Sequence, residues 1–294
     1  MIDGVIALNK PKGKTSHDMI YFVRRLLHIR RVGHTGTLDP DATGVLPICV
    51  GNATKASSYI MDSAKRYTAQ MLLGSRTDTL DASGTVLQTA PVSVTEPEIR
   101  TACEAFIGTI MQLPPMYSAV KVGGKKLYEL AREGKEVERK PRMVTVESID
   151  ILDCDLKHNC VTLDIVCAKG TYIRTLCDDI GARLGCFAHM GELIRTQSGG
   201  FVLAQSYTPE TLTKLYEDGK IMEALTKTED VFSSYEKVFL TAAEARKVKN
   251  GVPLRRDHLN FGQFYRLYDE NGGFLCVSKQ EEEVLRMQTS FWTV

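Results

Sequence analysis

The sequence contains no apolar run approaching the roughly 18 residues that a membrane-spanning helix needs. Its first residues, MIDGVIALNKPKGKTSHD, bring an acid at once, and the only early apolar stretch is VIAL. That is not the layout of a secretory leader, and a cytosolic protein without a membrane partner is expected. No CxxC pair occurs among the eight cysteines. Zinc sites normally need such close pairs, so a cysteine zinc site is not expected. Cys167 and Cys177 fall on apolar positions of local patterns and read as buried thiols. Long-period repeats and low-complexity tracts are also missing, which excludes solenoids and arrays. Net charge is nearly absent, at +1.

What is present is an ordinary globular composition of 294 residues, 43% hydrophobic and 25% charged. That length suits one large domain, or a large one and a small one. The charge is uneven. Lys10 to His34 holds seven basic residues (Lys10, Lys12, Lys14, Arg24, Arg25, Arg30, Arg31) against Asp18. Lys121 to Arg142 holds eight basic and four acidic residues, and Lys237 to Arg256 is also basic. Separate basic patches on a near-neutral chain are compatible with a polyanionic partner as well as with a plain solvated surface.

Periodicity outlines the elements. Residues 15–28 read as a helix that Thr15 or Ser16 can cap, with Met19, Ile20, Val23, Leu26 and Leu27 as its apolar stripe. Residues 66–73 alternate as a strand carrying Tyr67. TEPE at 95–98 is a capping box. VTLDIVC at 161–167 is a strand leading into a helix with apolar face Ile173, Leu176, Cys177, Ile180 and Leu184, ended by Gly185. Arg174 lies off that stripe. Residues 116–142 are basic, glycine-broken and weakly periodic, as a mobile insertion would be. Composition changes at 226–236. Beyond it come a second capping box (Thr241, Glu244) and a hairpin turning at Asn271–Gly272.

The stretch GHTGTLDPDATGVLPICVG, residues 33–51, raises a chemical question. Pro40 pushes Asp39 out of the helical region and restricts where its side chain points. The apolar VLPICV behind it reads as a buried strand. A carboxylate so held is either the acid of an Asp-Pro turn or a preorganised catalytic group. Local chemistry alone favours the turn. Asp41 has no such positional argument and reads as solvent dressing.

The same stretch, continued to Lys55, resembles the signature motif of the TruB family of pseudouridine synthases. Further stretches similar to that family follow in order: NKPKGKTSHD at 9–18, KRYTAQMLLGSRTDTLDASG at 65–84, PPMYSAVKVGGKKLYELAREG at 114–134, KGTYIRTLCDDIG at 169–181 and GELIRTQSGGF at 191–201. The resemblance implies an α+β fold: a mixed, largely antiparallel sheet with flanking helices. It implies a catalytic domain over 1–232, with an RNA-binding insertion at about 116–142, and a small mostly-β PUA-like domain over 233–294. It also implies the activity, isomerisation of uridine to pseudouridine at position 55 in the T loop of tRNA, without cofactor or metal, by a protein expected to be a monomer.

Roles carry over position by position. Asp39 matches the family's catalytic aspartate. Tyr67 matches the tyrosine that packs on the target uracil and is implicated in proton removal. Tyr172 matches a substrate-contacting tyrosine, and Arg174 the arginine that pairs with the catalytic aspartate. His34 matches a histidine that binds RNA beside the flipped-out nucleotide, Leu193 an apolar residue lining the uracil pocket, and Asp81 an acid near the flipped nucleotides. Lys12 and Lys14, with Arg24 and Arg31, suit phosphate contacts.

The residue types fit the reaction. A carboxylate can attack the sugar or base, or stabilise an oxocarbenium-like species. An arginine partner would keep it ionised and fix its direction. Competing readings are a non-catalytic tRNA-binding or folding factor, and a guide-RNA-dependent relative, which typically carries extensions for partner proteins. A glycosidase is weaker, for want of a second suitably placed carboxylate.

Overall fold

Alternating apolar residues set one large sheet. The computed structural model of the protein describes residues 2–292. Ten strands make the sheet: β1 (Gly4–Lys10), β2 (Val32–His34), β3 (Thr43–Val50), β4 (Lys65–Leu73), β5 (Gly108–Gln112), β6 (Arg142–Asp155), β7 (Cys160–Cys167), β8 (Ala188–Ser198), β9 (Phe201–Val202) and β10 (Leu225–Thr226). Its spatial order is β10-β1-β3-β8-β4-β7-β6-β5, with β2 beside β3 and β9 beside β8. Every pairing is antiparallel except β3 with β8, where Ile194 faces Thr43 and Arg195 faces Gly44. The expected mixed, largely antiparallel α+β sheet is therefore present. Its one parallel junction lies next to the Asp39 loop, because β3 starts four residues after Asp39.

Seven helices accompany it among the described residues: α1 (Ser16–Leu27), α2 (Ser57–Met61), α3 (Glu96–Glu104), α4 (Leu127–Arg132), α5 (Ile173–Leu184), α6 (Pro209–Glu217) and α7 (Ala242–Lys249). The apolar stripes read from sequence are the buried ones: Met19, Ile20, Val23 and Leu27 of α1, and Ile173, Leu176, Cys177 and Ile180 of α5, join Ala69, Met71, Leu163 and Ile165 in a single core. Thr15 caps α1 through a full capping box with Asp18, which leaves Ser16 for another task. The cysteines are free and mostly buried.

The segment 116–142 is more regular than its glycines suggested. Lys121–Val122 and Lys125–Lys126 form a small hairpin, and α4 follows, anchored by buried Leu127 and Leu130. Six residues are too few for periodicity to reveal.

The tail carries a five-stranded sheet in the order β11-β13-β14-β15-β12, where β11 is Glu236–Phe239, β12 Leu254–Arg255, β13 Phe264–Tyr268, β14 Phe274–Glu281 and β15 Val284–Ser290. It has its own core around Leu240, Val248, Leu254, Leu267, Leu275 and Leu285. The turn between β13 and β14 contains Asn271 and Gly272, as expected. Phe232, 1% exposed, joins the tail to the large sheet: it packs with Ala56, Val277 and Phe291 and meets Tyr59 edge-on at 5.0 Å. Lys55 Nζ donates to the Ser290 carbonyl at 2.8 Å, and the Tyr59 and Thr289 hydroxyls lie 3.1 Å apart.

Candidate active site

The NKPKGKTS segment holds the Asp39 loop from both sides. Ser16 Oγ donates to the Leu38 carbonyl at 3.1 Å and accepts from the Leu38 N–H at 2.8 Å. The Pro40 carbonyl accepts from Gly13 N–H at 2.8 Å and from Lys10 Nζ at 3.0 Å. Lys10 is wholly buried, and its ammonium also donates to the carbonyls of Pro11 (2.9 Å) and Lys14 (2.6 Å). Burial lowers its pKa to about 8, while the Asp41 and Asp39 carboxylates pull it back up. Residues 38 and 40 are thus clamped, and the carboxylate between them is aimed.

Asp39 Oδ2 lies 3.1 Å from Arg174 Nη2, and the carboxylate remains 43% exposed, open to a substrate. Arg174 is the first-turn residue of α5 that lay off its apolar stripe, and its side chain is 7% exposed. It also donates to the carbonyls of Tyr117 at 2.7 Å and Thr79 at 3.3 Å, and its Nη1 is 3.4 Å from Asp81 Oδ2. One guanidinium therefore serves two carboxylates. Burial pushes the Asp39 carboxyl above the usual carboxylate range; Arg174 opposes this, Asp81 adds to it, and Lys10 and Asp41 act more weakly in opposite directions. The arginine fixes the direction of Asp39, as expected. It favours the ionised form without outweighing burial, the largest influence on the carboxyl, and Asp81 adds to that upward push.

Asp81 is held in a tight loop. Its Oδ1 accepts from Thr79 Oγ1 (2.7 Å), Ser83 Oγ (2.6 Å) and Ser83 N–H (3.0 Å). The loop docks on β8 through Ala82 N–H to Met190 O and Met190 N–H to Leu80 O. Arg76, at its base, forms a two-pronged pair with Asp178 of α5, at 2.7 and 2.8 Å. The helix that carries Arg174 thus also anchors the loop that carries Asp81.

Tyr67 of β4 is half-buried against the core, opposite Arg195 of β8. Burial pushes its phenol upward; the Arg195 charge and hydrogen bond pull it down, and Cys167 and Asp39 push it up. Leu193, 8% exposed, faces Ala69 two residues along the same register and so lines the same side of the sheet. His34 ends β2, and its Nδ1 accepts from the Gly36 N–H at 3.2 Å. Burial, with Arg195 and His17, depresses its pKa. The ring is therefore neutral near pH 7 with its proton on Nε2, a donor rather than a cation. Tyr172 precedes α5, and the Gln112 side chain clamps it: Oε1 accepts from its N–H at 2.8 Å and Nε2 donates to its carbonyl at 3.1 Å.

Lys12 and Lys14 are exposed, Lys12 in a loose 3.7 Å pair with Glu192. Arg24 donates to the Val32 carbonyl at 3.1 Å, and Arg31 to Thr54 Oγ1 at 2.9 Å and Asn52 Oδ1 at 3.0 Å. Both spend N–H groups on the protein itself. Asp41 is exposed, as read from sequence.

Lys10, Ser16, Gln112 and Arg195 were not legible as site residues. For Lys10 a signal existed: in GVIALNK it shares the alternating face of Ile6 and Leu8, which packs into the main core. Arg195 similarly shares the face of Leu193. Gly44 is explained only by the fold. Its φ is +104°, and a Cβ there would meet the Arg195 carbonyl oxygen at 2.3 Å, so the parallel junction closes only over glycine.

No helix among the described residues is long and apolar enough to cross a membrane. Comparison with known proteins matches residues 24–173 to the TruB family pseudouridylate synthase N-terminal domain and 174–233 to the tRNA pseudouridylate synthase B C-terminal domain. The chain is 42% identical over 291 residues to tRNA pseudouridine synthase B of Caldanaerobacter subterraneus subsp. tengcongensis, covering 99% of both. It is 42% identical over 282 residues to that of Bacillus thuringiensis, covering 94% and 92%. Among solved structures it is similar to a chain of a Cbf5–Nop10–Gar1 complex (TM-score 0.77, 27% identity, 98% of this chain and 85% of that one). It is similar also to a chain of an archaeal box H/ACA Nop10–Cbf5 complex (0.74, 26%, 98% and 86%). With its signature aspartate clamped beside Arg174 and both family segments matched in sequence, the chain belongs to the TruB family of pseudouridylate synthases.

Proposed function

We propose that the protein isomerises uridine to pseudouridine at position 55 in the T loop of tRNA, with Asp39 as the catalytic carboxylate. The observation that carries this is the clamped, half-open Asp39 carboxylate on the Arg174 guanidinium. The reaction breaks N1–C1′, turns the base over, joins C5 to C1′ and releases the C5 proton, while N1 regains one. Asp39 adds to the sugar or base, or steadies the cationic sugar, and Arg174 orients it. Tyr67 and Leu193 cover the uracil in place of the stacking it loses on flipping out, with Tyr172 at the mouth. The neutral His34 donates from Nε2 to the surrounding RNA. Lys12 and Lys14 meet phosphates, and residues 116–142 close over the bound loop. Identity of 42% to tRNA pseudouridine synthase B, against 26–27% to chains of the Cbf5 complexes, favours a free tRNA substrate.

The test is to incubate the protein with unmodified tRNA transcript and map pseudouridine. Wild type is expected to modify one T-loop uridine. Asp39→Ala is expected to bind the transcript and form none. Activity surviving in Asp39→Ala sinks the assignment, and a wild type that binds tRNA but never modifies it sustains the non-catalytic reading instead.

A further inference from the structure

Arg195 is among the largest fully buried side chains of the protein, 1% exposed. Among the described residues it has no carboxylate within ion-pair distance. Its Nε donates to the Val45 carbonyl at 2.7 Å and its Nη2 to the Gly36 carbonyl at 3.3 Å. An unpaired buried guanidinium is costly, and two carbonyls do not neutralise it. Its charge is felt throughout the site, depressing the pKa values of His34, Lys10 and Lys65. A fold needing only a filled space there could use an apolar residue. Across the β4–β8 register Arg195 is the direct partner of Tyr67, so the two side chains share one face of the sheet.

We infer that Arg195 is a positioning residue for Tyr67: it fixes the ring over the base and offsets the burial that disfavours the phenolate as the oxygen takes the proton from C5. The inference rests on the reading of the protein as a pseudouridine synthase. Once C5 is joined to C1′, that carbon carries both the sugar and its original hydrogen. The C5–H bond breaks, its electron pair becomes the C5=C6 bond, and the pair of the N1=C6 bond moves to N1, which takes a proton from water. The C5 proton goes to the Tyr67 oxygen and from there to solvent. A neutral phenol is a poor acceptor for it, whereas a phenolate beside a guanidinium is a competent one. Burial is the largest influence on that oxygen and opposes the anion; Arg195 from β8 is the group that favours it, while Asp39 from its loop opposes it further. Arg195 also ties together the strands and loop that carry the two reacting groups, since Gly36 lies in the Asp39 loop and Val45 in β3.

The experiment is single-turnover pseudouridine formation on tRNA carrying deuterium at uridine C5, from about pH 6 to about pH 9. It compares wild type, Arg195→Met, Arg195→Lys, Tyr67→Phe and the Arg195→Met/Tyr67→Phe double variant. Arg195→Met is expected to slow the reaction about 100-fold at unchanged tRNA affinity, with a larger deuterium isotope effect and a rate that levels off about one pH unit higher. Arg195→Lys is expected to recover about ten-fold of that loss. In the Tyr67→Phe background the Arg195→Met change is expected to cost little further, because the two act as one unit. A wild-type isotope effect and pH profile in Arg195→Met, or an equal loss with and without Tyr67, overturns the inference. If Arg195→Met does not fold, Arg195→Lys decides: an unshifted isotope effect and pH break in it overturn the inference too. A wild type that forms no pseudouridine overturns the underlying reading rather than the role of Arg195.

Discussion

The chemistry concentrates on how two arginines are used. Arg174 serves Asp39, Asp81 and the carbonyls of Tyr117 and Thr79 from one planar head. A lysine ammonium is a point charge and cannot reach these directions together. Arg174→Lys is therefore expected to lower the single-turnover rate by about 100-fold or more while tRNA affinity changes only a few-fold. Rapid-quench assays and filter binding check it, and a rate within about three-fold of wild type would contradict the shared-guanidinium geometry. The local reading of Asp39 as a turn acid holds, since the Ala42 N–H donates to the Asp39 carbonyl at 3.1 Å, but it missed what clamps that turn. Pro40 and the glycines show that the loop is stiff, but its clamps, Ser16 and Lys10, lie 22 and 30 residues from their partners, Leu38 and Pro40. Distance in sequence hides such bonds from any window-based reading.

At the scale of elements, α5 couples the site. It presents Arg174 from its first turn and holds the Asp81 loop through Asp178 and Arg76. Its neighbour Asp179 is pushed up to about 6 by burial and by the Asp178 carboxylate, with Arg76 opposing. An acid whose folded pKa exceeds its unfolded value near 4 keeps its proton longer in the folded chain. Between about pH 4 and about pH 6 this group therefore makes stability fall as pH rises. Asp179→Asn is expected to remove that slope and to gain about 1–2 kcal/mol over wild type at pH 7 relative to pH 4, after allowance for partial solvent contact. Urea titrations at the two pH values measure it, and parallel curves for the two proteins would refute it. The insertion is a second element with its own prediction. Tyr117 anchors its base to Arg174, whereas 121–135 form the hairpin and α4 beyond. Replacing 121–135 with a short Gly-Ser linker is expected to weaken tRNA binding about ten-fold or more through loss of basic charge, and equal affinity would count against closure over RNA. Long elements were readable because α1, α5, β4 and β7 repeat their pattern over eight residues or more. The small hairpin and α4 were not, because six residues complete too few turns.

The whole molecule has two cores joined by an aromatic seam around Phe232. The segment that changes composition near 226–236 is packed rather than free, since Phe232 is 1% exposed and Tyr59, Val277 and Phe291 surround it. Phe232→Ala is expected to cost about 3–5 kcal/mol at that seam. Calorimetry is expected to show the wild type melting as one unit and the variant separating into two transitions. A single transition at the wild-type temperature would show that the seam does not couple the cores.

Sequence by itself determined the long elements and their buried faces, because 3.6- and 2-residue periods report burial directly, and the class of fold through the family resemblance. Through an ordered series of motifs it also identified Asp39, Tyr67 and Arg174 as belonging together. Tertiary structure alone decided which groups compete for Arg174, why Gly44 must be glycine, and that Lys10 and Arg195 are buried cations at the site. The reason is physical: ion pairing, close backbone approach and burial depend on distances between strands, and the parallel β3–β8 junction sets those distances between residues some 150 positions apart.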